Sequence, residues 1–272
     1  MSTHYLPEKY KGKLIEANNE ISKILKAEQG RTDKNNYTIR PPEPLKTAFN
    51  VEEYRWYWKP EKVKFVLVAE SHVYTSEQEA EVKINLNKLN ARVVGYPQDC
   101  PINFAKVVYC LGYGAPEILD HPESADAKGG TKQFMNLFRQ CIGFSSYSRT
   151  SLQSKTNLLK ATKAKGVWLL DASCHGIAYG HRKRLFHDIV KRIVPISWKI
   201  YVRPIIEDLQ IDPENVWIVG KGTHDLILGK YARGNNWIYQ PNVRLPNKQK
   251  YKEKAEREQT LYKTAKKAIE QQ

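Results

Sequence analysis

The chain has 272 residues, is 41% hydrophobic, and carries 44 Lys+Arg against 29 Asp+Glu, a formal net charge of +15. That length supports one large domain with a real core, and the basic excess favours polyanionic partners, nucleic acid first and an acidic membrane surface second. No stretch approaches the about 20 apolar residues of a membrane span, and MSTHYLPEKYKGK lacks the apolar core of a signal peptide; a cytoplasmic protein with reduced thiols and no membrane partner is expected.

Residues 7–29 read as an amphipathic helix, with Leu14, Ile15, Ile21 and Ile24 among charges, and TIRPPEPLKTAFN as a proline-broken loop. VKFVLV (63–68) is a buried strand that runs directly into Glu70, Ser71 and His72. Helices follow at 131–143 and 151–165, then the strand of GVWLLDAS at 166–170. A helix over 196–211, bent at Pro204, precedes a strand at 215–220. A helix over 224–232 and a strand at 236–240 complete the pattern, and the tail reads as a solvated helix. Short, wholly apolar strands alternating with helices predict an α/β fold with a parallel sheet. We read residues 1–50 as a helical extension, 51–248 as the α/β domain and 249–272 as a C-terminal helix.

Ligands of open α/β sheets bind beyond the carboxyl ends of the strands. Polar clusters follow all four strands here: Glu70-Ser71-His72, Asp171-Ala172-Ser173-Cys174-His175, Lys221-Gly222-Thr223-His224, and Gln240-Pro241-Asn242-Val243-Arg244-Leu245. Cys100, Cys110, Cys141 and Cys174 form no C-x-x-C pair, so four buried thiols are expected rather than a metal site, and no cofactor.

The segments VLVAESHVY, GVWLLDAS, VWIVGKGTHD and YQPNVRLP together resemble, in order, the four motifs of the uracil-DNA glycosylase superfamily. The resemblance spans residues 60–248. It implies a central four-stranded parallel sheet flanked by helices in three layers. It also implies a DNA partner, no obligatory protein partner, and a base flipped into a pocket for hydrolysis of its N-glycosidic bond. Ser71 stands at the family's water-positioning acid, which leaves Glu70 to orient water or stabilise the sugar cation; His72 would assist the leaving base. Val73 replaces the bulky Tyr that walls off C5 of uracil. Asp171 replaces the Asn that reads the uracil edge; a carboxylate accepts from the N4 amino group of cytosine. A helix N-cap is the competing role for Asp171. Gln240 stands at the catalytic His and can only donate to a base O2. Phe104 would stack on the base, Leu245 would fill the gap in the duplex, and Asn242, Arg244, Lys221 and the run Arg182-Lys183-Arg184, on a helix spanning 181–192, would hold phosphates.

These readings point to a DNA glycosylase acting on a cytosine-type or C5-modified pyrimidine, with antiviral defence against modified phage DNA or base-excision repair as its setting. Two alternatives stay open: excision of uracil or another deaminated base, and a DNA-binding module that has lost catalysis.

Overall fold

The computed structural model describes residues 5–32, 38–130, 132–145, 147–148, 150–180, 183–227, 231 and 234–271, with backbone alone over 178–180 and 183–184. The strands are β1 (Phe65–Ala69), β2 (Val167–Asp171), β3 (Ala178–Gly180), β4 (Lys183–Arg184), β5 (Val216–Val219) and β6 (Trp237–Ile238). The α-helices are α1 (Glu8–Glu28), α2 (Leu45–Tyr57), α3 (Glu77–Ala80), α4 (Leu86–Asn90), α5 (Lys132–Ile142), α6 (Leu152–Ala164), α7 (His187–Ser197), α8 (Arg203–Asp208), α9 (Lys221–Leu226) and α10 (Lys248–Glu270).

Every residue of β1, β2 and β5 is buried, as strands covered by helices on both faces must be. The sheet is four-stranded and parallel, in the order β2-β1-β5-β6. Its register sets Ala69 beside Asp171, so the loops leaving β1 and β2 emerge side by side. The expected α/β class and parallel sheet are therefore present. Both terminal helices belong to the core: Leu14, Ile21 and Leu25 of α1 and Leu261 and Ala265 of α10 are buried in it. The tail is thus not a fully solvated helix; α10 packs on α5 and β6.

Further elements differ from the sequence reading, among them the helix expected over 224–232: α9 runs from Lys221 to Leu226, and 228–230 and 232–233 lie outside the described residues. The proline-broken loop ends at Pro44, and α2 starts at once behind it. The 181–192 segment is not one helix: β3 and β4 pair as an antiparallel ribbon, and α7 starts only at His187. The long helix over 196–211 is split into α7, a π-helical turn at Trp198–Val202 and α8, with Pro204 in the first turn of α8. Proline has no N–H to offer the preceding turn, so the widened turn falls where the regular ladder is lost.

Candidate active site

The site forms where β1 and β2 end. Ala172 N–H donates to Ala69 O (2.7 Å), Ser173 N–H to Glu70 O (2.9 Å), and Ile177 N–H to Ser71 Oγ (3.2 Å), which locks the two loops together. No helix follows Asp171, so the N-cap role is excluded and the carboxylate belongs to the site.

Behind the loops lies a buried chain of alternating charge. Tyr201 Oη donates to Glu52 Oε2 (2.8 Å). Arg55 bonds both Glu52 and Asp171 through its two terminal nitrogens. His72 Nδ1 lies 3.4 Å from Asp171 Oδ2, an ion-pair distance, and His72 Nε2 is 2.8 Å from Glu43 Oε2. Glu43 also accepts from Thr75 N–H (2.7 Å) and Gly176 N–H (2.9 Å). Position 176 must be glycine, because a Cβ there would come within 2.5 Å of Tyr74 Cα. Buried charges persist only when each is paired and hydrogen-bonded, and here the pairing runs unbroken from Glu52 to Glu43.

Burial alone would lower the pKa of His72, but the Glu43 charge and the bonds to Asp171 and Glu43 outweigh it and lift the imidazole to about 9. Burial would raise Glu43, and the His72 imidazolium instead draws it below the usual carboxylate range. His175 is the opposite case. Burial pushes it down to about 4, and its neutral Nε2 accepts the Glu43 backbone N–H at 3.1 Å. The two histidines therefore bracket neutrality. His72 contributes stability that is complete below about pH 6.5 and is lost as pH rises through 9; His175 contributes stability complete above about pH 6.5 and lost as pH falls through 4. Each amounts to something on the order of 3 kcal/mol at full development. Unfolding free energy measured in urea is expected to peak near pH 6.5, and Glu43→Gln should flatten the alkaline limb. A wild-type profile flat between pH 6.5 and 9 would contradict the assignment. Buried thiols such as Cys174, pushed up to about 12 by burial, lose stability only above about pH 8.5, where unfolded thiols ionise.

In front of this chain opens a cavity of about 180 Å³, lined by Arg55, Glu70, Ser71, His72, Val73, Lys106, Tyr109, Phe134, Leu169, Asp171 and Gln240 among others. Six of the residues singled out from sequence thus meet at one place. Their roles divide. Glu70 and Asp171 are the two carboxylates on the cavity wall. Val73 forms part of its apolar side. Ser71 fixes the loop: its hydroxyl donates to His72 O (2.9 Å) and accepts from Ile177 N–H. His72 is not open to a leaving base: its side chain is 0% exposed and clamped between Glu43 and Asp171. Gln240 spends one amide hydrogen on Val219 O (3.2 Å) and keeps the second.

Phe104 does not stack on a ligand. It is 0% exposed, packed beneath Gly112 in the core. The aromatic walls are Tyr109, which stacks on Phe138 at 6.0 Å between centroids, and the half-buried Phe134. Glu43, Glu52, Arg55 and Lys106 were missed from sequence; a proline-framed Glu and an acid and a base three residues apart in an aromatic helix are the only signals that could have found them. Lys106 pairs with Glu79 at 2.6 Å.

Of the DNA-binding candidates, Asn242 and Arg244 are exposed in the turn after β6, and Asn242 lines a second cavity of about 400 Å³ with Lys132, Gln133 and Lys254. Leu245 is half-buried, and its N–H donates to Tyr251 Oη (3.2 Å). Lys221 is exposed on α9 and pairs with Asp225 at 2.7 Å. Lys183 and Arg184 lie on β4, not on a helix, and Arg182 falls outside the described residues. All four cysteines are free and buried. Among the described residues no group of three His, Cys, Asp or Glu side chains could hold a metal, and no helix is long and apolar enough to cross a membrane. No family model, no curated protein and no solved structure matches this chain.

Proposed function

We propose that the protein is a DNA glycosylase that flips a cytosine-type or C5-modified pyrimidine into the cavity beyond the ends of β1 and β2 and hydrolyses its N-glycosidic bond. The observation that carries this reading is the cavity itself: two carboxylates, Glu70 and Asp171, stand in a space of about 180 Å³ with aromatic and aliphatic walls, on a chain of net charge +15. A single pyrimidine suits a pocket of that size better than a bulkier ligand does. Water adds to C1′ and the glycosidic electron pair leaves with the base; Glu70 orients the water, stabilises the positive charge on the sugar and takes the water's proton, which then passes to the departing base. Asp171 accepts from the N4 amino group. Arg55, bonded to Asp171 and only 3% exposed, holds that carboxylate in place at the cavity wall. Val73 leaves room for a substituent at C5. Defence against DNA carrying enlarged cytosines, or repair of altered ones, is the setting.

A second reading has its own support. Ser71 and Gln240, which stand where the resembled family has its catalytic acid and base, both bond to backbone; a DNA-binding module without catalysis would tolerate that. One assay separates the two. Duplex and single-stranded DNA carrying uracil, cytosine, 5-methylcytosine or 5-hydroxymethylcytosine is incubated with the protein and treated with alkali. Breaks at a cytosine derivative are expected. A gel shift with no break at any base would favour the module, and breaks at uracil alone would overturn the base assignment.

A further inference from the structure

Lys155 breaks three electrostatic rules at once. It lies one turn into α6, near the positive end of the helix dipole, where cations are disfavoured. Its ammonium donates to two carbonyl oxygens, Cys110 O (2.9 Å) and Tyr113 O (3.2 Å), and no carboxylate among the described residues pairs with it. Burial pushes its pKa down to about 8. An ammonium has three donors, and two of them serve carbonyls among the described residues. Local rules broken together without a compensating partner mark functional positions; the missing partner here is an anion.

The surroundings fit one. Lys155 lines a cavity of about 230 Å³ with Lys132, Ser151, Tyr113, Gly114 and Gly130; the carboxylate on its wall, Glu117, pairs with Arg92 at 3.2 Å. A Cβ at Gly114 would approach Gly130 Cα to 3.2 Å, so the wall there is bare backbone. This cavity and the base cavity are built from the same two segments. Val107, Val108 and Tyr109 line the base cavity and Leu111, Tyr113 and Gly114 line this one; on α5, Gln133 and Phe134 face the first and Lys132 and Met135 the second.

We propose that the Lys155 cavity binds a phosphate of the DNA strand whose base enters the neighbouring cavity. The proposal rests on the glycosylase reading for its partner. A strand crossing the start of α5 would set a base on the Phe134 side and its flanking phosphate on the Lys132 side. The second lysine supplies a further charge, and exchange of condensed counterions for the two ammonium groups drives the contact.

The test uses the unaltered protein. Amine-selective labelling of Lys155 is followed by peptide mass spectrometry at pH 7, without additive, with inorganic phosphate, and with an oligonucleotide carrying the excised base. An anion that lifts the amine by one pK unit cuts its neutral fraction, and its labelling rate, about tenfold. The oligonucleotide should produce that protection, and Lys155→Gln should lower the slope of log affinity against log salt by about 1. DNA binding with neither protection nor a change in slope would refute the site while leaving the glycosylase reading intact. Protection by phosphate but not by DNA would assign the site to some other anion and refute the strand contact. Absence of any DNA binding would instead bring down the glycosylase reading, and the strand contact with it.

Discussion

Glu70→Gln is expected to slow base release by about 10²–10⁴-fold, the usual worth of a positioned acid–base group, while leaving DNA affinity nearly unchanged. The side chain is only half-buried, and the bond that ties its residue to the second loop runs from Ser173 N–H to the Glu70 backbone carbonyl, which the substitution keeps. The amide has the shape of the carboxylate but not its charge, so it can neither steady a developing sugar cation nor accept a proton from water. Asp171 cannot replace it, because its Oδ2 is engaged by Arg55 and lies beside the His72 imidazolium. Single-turnover release from the best cytosine derivative, compared with binding of the same duplex, measures both quantities. A rate within threefold of wild type would remove Glu70 from the chemistry. Loss of rate in Asp171→Asn with Glu70→Gln active would exchange the two roles.

The parts of this arrangement that a reader of the sequence can see are those encoded locally. β1, β2 and β5 are runs of four or five apolar residues, and the polar groups behind β1 and β2 stand out against them. The cavity's Glu70 and Asp171 follow from those runs; Val73 follows only from the resemblance to the glycosylase motif. What stays hidden is encoded at a distance. Glu43 reaches His72 across 29 positions and Arg55 reaches Asp171 across 116, and no spacing rule reports such pairs. Helix α2 is hidden for a related reason: Asn50, Glu52 and Arg55 are buried along with Val51, Tyr54 and Tyr57, so no polar face marks its period. The basic run at 182–184 misleads in the other direction. Charge suggested a phosphate-facing helix, but backbone pairing of Ala178 with Arg184 and of Gly180 with Lys183 makes it a ribbon. Phe104 fails for want of tertiary information, since nothing local distinguishes an aromatic that faces a cavity from one sealed beneath Gly112.

Arg55→Met should cost about 3–5 kcal/mol of folding stability, the range for removing one partner of a buried ion pair. Both the guanidinium and Glu52 are almost wholly inaccessible, with side chains 3% and 1% exposed. Burial works against the Arg55 charge, and Asp171 and Glu52 outweigh it and raise its pKa further. Methionine fills much of the same volume, so the loss is electrostatic rather than a cavity effect. It leaves three buried carboxylates, Glu43, Glu52 and Asp171, facing the single cation His72. Arg55→Lys keeps a charge but cannot fork between Glu52 and Asp171, and should lose an intermediate amount. Adding Glu52→Gln to Arg55→Met removes one of the stranded charges and should return part of the stability, a coupling that independent sites would not show. Urea midpoints at constant m-value report all three variants. A loss below about 1 kcal/mol for Arg55→Met would mean that water reaches the guanidinium and the chain of charges is not sealed. The predicted cost is large against the 5–15 kcal/mol that holds a typical domain together. Apolar residues could close the ends of β1 and β2 without that risk. A charged network kept there holds Asp171 at the edge of the cavity, where a carboxylate can accept a hydrogen bond from an amino group.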